Sequence, residues 1–150
     1  MMAGEELITR RLEAGDFHKG YMGLLAQLTV AGDVTEEAFK ARVEEMAARA
    51  PDYHTVVIED SAASRVVATA TLLIERKILR NCGKCGHVED VVVDKDVRGK
   101  HLGQKLINEL IRIAQEQGCY KVILDCADYN TSFYEKSGFV KKEIQMVKYF

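Results

Sequence analysis

The stretch VEDVVVDKDVRGKHLGQKLINEL (88–110) begins as a β-branched strand and continues as an amphipathic helix. At the junction stand Arg98, Gly99, Lys100, His101 and Gly103. The first turn of a helix presents unpaired N–H groups and a partial positive charge, so it favours an anion. Glycines at 99 and 103 let the backbone approach a bound group closely, and the three basic or imidazole side chains add charge around it. The competing reading is a plain strand-to-helix connection with solvated charges. Two phosphate motifs are excluded. There is no GxxxxGK[ST], and no GxGxxG followed ~20 residues on by a ribose-binding acid. Just upstream, Glu89 and Asp90 stand side by side in a Val-rich strand. Successive strand residues face opposite ways, so such a pair is costly unless it lines a polar site or ends the strand in solvent. Asp125 closes the apolar run YKVILDC, the usual place for a side chain to enter a cleft of an α/β sheet; it could also cap the following loop.

Hydrophobic periodicity lays out the elements that would carry these groups. LITRRL (7–12) reads as a strand. Residues 15–32 read as one helix with Phe17, Tyr21, Leu24, Leu25 and Leu28 on a face. A second helix covers 35–49, with Thr35 as N-cap and Phe39, Val43 and Met46 on one side. Strands follow at 53–60, 65–79 and 86–94. Leu102, Leu106, Leu110 and Ile113 mark a long helix that Gly118 stops near Gln117. YKVILDC (120–126) is a strand, NTSFYEKSG (130–138) a brief helix with Asn130 as its N-cap residue, and 139–150 a closing strand. The order β-α-α-β-β-β-α-β-α-β predicts a mixed, mostly antiparallel sheet with one βαβ crossover over 86–125.

A chain of 150 residues, 47% apolar and 29% charged, is expected to form a single domain (1–150) with an ordinary core. Its 21 basic and 23 acidic residues give −2, without the basic excess of a nucleic-acid binder. No apolar run approaches the ~20 residues of a membrane span. MMAGEELI lacks the order of a secretory signal. CGKC (82–85), with His87 two residues further, has the spacing of half a zinc site. Cys119 and Cys126 lie in a different pattern, so NCGKCG is read first as a turn and no metal is expected.

The strand, the RGKHLG turn and its helix, followed by NTSFYEKSGF, resemble the acetyl-CoA site of the GNAT superfamily of N-acetyltransferases. That superfamily's turn runs Arg or Gln, two residues, Gly, one residue, Gly or Ala. Arg98 and Gly103 match it, and His101 stands at the middle glycine. GHVEDVVVDKDVRGKHLGQKLI, CYKVILDC and FYEKSGF together are similar to the glucosamine 6-phosphate N-acetyltransferase family, strongly over 86–139 and weakly along nearly the whole chain. The resemblance implies the GNAT fold and acetyl-CoA as co-substrate. It implies N-acetylation of D-glucosamine 6-phosphate by direct amine attack on the thioester, without metal, as a step towards UDP-N-acetylglucosamine.

It also implies roles. Tyr134 would protonate the leaving thiolate, because a phenol (reference pKa ~10) titrates near the thiolate's own range. Glu89 would face the amine as base or water relay, with Asp90 and Asp125 also at the sugar. Val91 and Val93 would offer backbone groups to the pantetheine arm, and Asn130 would lie against the cofactor. Arg98, Gly99, Lys100, His101, Leu102, Gly103 and Gln104 would hold the pyrophosphate. Lys77, Arg80 and Lys121, with Thr29 as hydroxyl donor, are the candidates for the sugar phosphate. The family shares its site across a homodimer, which would bring Tyr120 and Lys121 of one subunit to the sugar of the other. Lys148, or Tyr149 beside it, matches a C-terminal group that reaches the phosphate.

Two other readings stay open: a GNAT enzyme acting on a protein or polyamine amine, and a non-catalytic acyl-CoA-binding regulator. Cytosol is the default compartment. RLEAGDFHK (11–19) approximates an N-terminal peroxisome-type address, with Lys where an apolar residue is usual.

Overall fold

In the computed structural model, which describes residues 6–150, five extended runs form one sheet. They are β1 (Leu7–Arg11), β2 (Tyr53–Asp60), β3 (Arg65–Arg76), β4 (Lys84–Val93) and β5 (Cys119–Leu124), neighbours in that order. The first three pairings are antiparallel and the last is parallel, the mixed sheet that the sequence predicts. Parallel neighbours need a crossover, and α4 (Leu102–Glu116) supplies it. The opening MMAGE of the stretch read against a secretory signal lies outside the described residues.

Both sheet faces are covered. Leu102, Leu106, Ile107, Leu110 and Ile113 recur at helical spacing along α4 and bury against β3 residues Ala68, Ala70, Leu72 and Ile74 and against Val88. Each fully buried Leu or Ile contributes roughly 1.5–3 kcal/mol, so this helix is the main anchor of the β4–β5 half. On the other face, α1 (Tyr21–Leu25) and α2 (Glu36–Ala47) bring Tyr21, Leu24 and Phe39 onto Val57, Val66 and Val92. Thr35 caps α2 as expected, its Oγ1 accepting from the Ala38 N–H at 3.2 Å. Among the described residues, no helix is long and apolar enough to cross a membrane.

Four elements differ from the sequence expectation. The single helix at 15–32 is divided at Gly20, whose φ of 79° ends a 3-10 turn (Ala14–Lys19) before α1 starts. Within that turn Asp16 is buried and takes two bonds from the Arg10 guanidinium, at 2.7 and 3.0 Å. The strand expected to 79 stops at Arg76. It gives way to the one-turn α3 (Leu79–Cys82), where Arg80, Asn81 and Cys82 take left-handed φ near 57°. The last helix, α5, covers only Thr131–Glu135. The closing strand at 139–150 does not form. A strand needs a ladder partner for its N–H and C=O groups, and this segment pairs with none of the five strands. Ile144, Met146 and Tyr149 are consequently about nine-tenths exposed.

Candidate active site

Two irregularities in β4 create a cleft. Thr69 pairs with Val92 and Thr71 with Glu89, so Ala70 alone spans both Asp90 and Val91. This is a β-bulge, with Asp90 at φ 51°. Pairing with β5 ends at Val88–Leu124, so from Glu89 onward β4 has no strand on that side. The fork between the two strands encloses about 120 Å³. Glu89, Asp90 and Val91 line it from β4, Asp125 and Cys126 from the end of β5, and Asn130 and Tyr134 from the last helical turns.

The fork is electrostatically uneven. Partial burial in the cleft pushes the Glu89 carboxyl above the usual glutamate range, and the negative charges of Asp90 and Asp125 push it further. Burial likewise raises the Tyr134 phenol, helped by Cys126. The Tyr134 ring stands edge-on between Phe133 and Phe139, at centroid distances of 4.9 and 6.0 Å. The cleft therefore combines a carboxylate with raised proton affinity and a phenol that keeps its proton through neutral pH, a base and an acid of the kind amine acylation uses. Asp125 Oδ2 accepts a bond from Gln145 Nε2 at 3.1 Å. Asn130 precedes α5 as expected, but its side chain makes no capping bond and instead lines the cleft.

The turn after β4 is staked down by residues that the sequence did not single out. Asp94 is 1% exposed and accepts from the Asp96 N–H, Gln27 Nε2 and Arg65 Nη2 at 3.0, 3.4 and 2.7 Å. The Asp96 backbone bond, then Gln27 and Arg65, outweigh burial and hold its carboxyl below the usual aspartate range. Gln27 also accepts from the Lys95 N–H at 2.9 Å. Beyond this anchor Gly99 (φ 95°) and His101 (φ 58°) are both left-handed, which leads the chain into α4 with Arg98, Lys100 and His101 exposed.

At Gly103 a Cβ would lie 3.0 Å from Phe133 Cζ and 3.6 Å from Val93 Cγ2, so this glycine lets α4 meet the aromatic ring below it. Leu102 is 4% exposed and belongs to the core. The Gln104 side chain bonds to Ser137 and, at 3.2 Å, to Asn108. From Lys100, His101 and Gln104 an open trough of about 530 Å³ continues along α4 past Lys105, Asn108 and Arg112. Their spacing of three and four residues is the signal that could have found them. Exposed cations around the first turn of a helix suit a diphosphate, and the free edge of β4 suits an amide-bearing arm. The donor set thus fits coenzyme A.

The remaining candidates fall elsewhere. Arg80 and Lys121 stack over the Tyr120 ring, at 5.2 and 5.7 Å from its centroid, and Lys77 pairs with Glu75 at 3.0 Å. Lys121 lies four residues before Asp125 on its strand, roughly 13 Å away at the usual rise per residue. Thr29 is exposed beyond α1, and Lys148 lies 5.7 Å from the Phe150 ring in the unpaired C-terminal segment. The structure does not bring these six to the cleft within one chain.

Residues 21–139 match the family described as Acetyltransferase (GNAT) family. The chain is 51% identical over 141 residues to the glucosamine 6-phosphate N-acetyltransferase of Arabidopsis thaliana, covering 94% of this chain and 95% of that one. It is 44% identical over 140 residues to glucosamine 6-phosphate N-acetyltransferase 1 of Dictyostelium discoideum, covering 93% and 88%. The crystal structure of the Arabidopsis thaliana protein superposes with a TM-score of 0.95 at 50% identity, over 97% of this chain and 99% of that one.

Proposed function

The chain belongs to the acetyltransferase (GNAT) family, and from that premise we propose that it transfers the acetyl group of acetyl-CoA to the amine of D-glucosamine 6-phosphate. The observation that carries the proposal is the forked β4–β5 cleft, where Glu89, Asp125 and Tyr134 meet. The names of the relatives supply the sugar; the cleft supplies the chemistry.

A hexosamine amine is less basic than a lysine side chain, because its ring carbons withdraw electrons, so modest base assistance suffices. Glu89, with its raised proton affinity, takes the amine proton directly or through water. Asp125 and Asp90 orient the amine and neighbouring hydroxyls. The edge of β4 beyond Val88 offers backbone groups to the arm of the donor and to the oxygen that gains charge during transfer. Tyr134 holds the proton that the departing thiolate needs. Arg98, Lys100 and His101, with the first amides of α4, take the diphosphate. Acetyl-CoA supplies the activated acyl group, and the chain supplies placement and proton transfer.

The phosphate of the sugar needs cations, yet Arg80, Tyr120 and Lys121 cluster some four residues along the sheet from the acids. This separation supports a homodimer in which Tyr120 and Lys121 of one subunit complete the site of the other. The unpaired 139–150 segment, apolar and exposed, supports the same reading, with Lys148 carried on it.

Free thiol released from acetyl-CoA tests the assignment. Release with glucosamine 6-phosphate and not with glucosamine is expected. Release only with peptides or polyamines would replace the substrate, and saturable acetyl-CoA binding without release would end the enzyme reading.

A further inference from the structure

We infer that Glu75, Cys85 and His87 form a site for one zinc-like divalent metal ion on the sheet face that also carries Glu89. Cys85, His87 and Glu89 alternate along β4 and so share a face, and Glu75 on β3 pairs directly with Cys85. His87 Nε2 lies 2.9 Å from Glu75 Oε1, and the ligand atoms of all three residues lie within 4.8 Å of one another. Metal–sulfur and metal–nitrogen bonds of about 2.3 and 2.0 Å put tetrahedral ligands roughly 3.5 Å apart. Small side-chain rotations close the remaining gap. The CGKC spacing points to Cys82 as a partner, but Cys82 sits exposed on the left-handed turn of α3. The carboxylate across the ladder takes its place.

The donor set selects the metal. One thiolate, one imidazole and one carboxylate suit zinc or cobalt rather than calcium or magnesium, which take oxygen ligands. Three protein ligands leave a fourth position for water, the arrangement of an open zinc site. Adjacent strands hold all three, and Cys85 is 1% exposed, so little ordering is left for binding to impose. On binding, the Cys85 thiol proton passes to solvent, His87 coordinates as the neutral ring, and the ion takes Glu75 from Lys77. The binding is independent of the proposed reaction.

The test titrates metal-free, reduced full-length protein with cobalt(II). One equivalent is expected to give a thiolate-to-cobalt charge-transfer band with tetrahedral visible bands, and zinc should abolish both by displacement. Glu75→Gln and His87→Asn should each weaken binding at least ~10-fold, since losing even an outer-shell partner has that effect. Both residues are surface positions, so these variants keep the test alive if Cys85→Ser fails to fold. Cys82→Ser should leave the band intact. The site is disproved if one equivalent gives no charge-transfer band. It is equally disproved if the band survives His87→Asn and Glu75→Gln, or vanishes in Cys82→Ser or Cys126→Ser. Acetyl transfer plays no part in this readout, so a wrong substrate would leave it unchanged.

Discussion

Tyr134 and Glu89 line one cleft, and the proposed reaction gives them opposite tasks that their environments suit. Burial keeps the phenol protonated across neutral pH, so it can serve as acid without titrating away. Tyr134→Phe is expected to lower kcat by about 10²–10⁴-fold while acetyl-CoA affinity, read by calorimetry, stays within a few-fold. Equal losses in both would make the ring structural. Glu89 must be ionised to act, and its proton affinity is raised, so kcat should fall on the acid side at a higher pH than an ordinary glutamate would give. Glu89→Gln should remove that limb along with most of the activity. The sign for stability is opposite. A carboxyl whose folded-state pKa is raised destabilises the fold once it is ionised, so this variant should melt slightly above the parent at neutral pH. An inactive variant with a lowered Tm would refute the assignment. Glu89 was legible because adjacent acids in a valine strand are anomalous, whereas Tyr134 was legible only through the family resemblance. Asn130 was only partly so, since pattern found its position at the helix start and could not show that its side chain turns to the cleft instead of capping.

The strand–turn–helix unit from β4 to α4 works as one device, with its anchors outside the motif. Gln27 and Arg65 come from distant segments and meet the turn only at Asp94, a long-range convergence that no local spacing encodes. Asp94 is held below the usual aspartate range, so its contribution is present at neutral pH and is lost as pH falls from the ordinary aspartate value through the folded one. Asp94→Asn should therefore lower Tm near pH 7, with the two melting curves converging in acid. A constant gap at every pH would show that something other than this charge is at work. Gly103→Ala tests the other end of the device. The added methyl meets Phe133 at 3.0 Å, and overpacking of this kind costs about 1–3 kcal/mol. A higher KM for acetyl-CoA is expected from the shifted first turn, and an unchanged KM would show that the ring simply yields. Periodicity found α4 and the parallel crossover without difficulty because six buried residues repeat on one face. It overran the helix at 15–32 because the apolar stripe continues past Gly20 while the backbone reverses there.

For the molecule as a whole, the C-terminal segment reads as a strand, yet it pairs with none of the five strands, although β5 keeps an open edge. Sequence pattern reports what a segment can bury, not in which copy the partner lies. If each site draws Lys121 from one subunit and Glu89 from the other, two inactive variants should complement. Mixing Lys121→Ala with Glu89→Gln under conditions that exchange subunits should restore activity, because each mixed dimer keeps one unmodified site. Mixtures no more active than their parts would mean that every site is built within one chain. The exposed apolar tail has a further consequence. If, as proposed, the pocket is completed only by a second copy, the specific activity depends on the protein's own concentration. Serial dilution should then make turnover per molecule collapse below a threshold, in step with the sedimentation coefficient, while the melting of each separate core hardly changes.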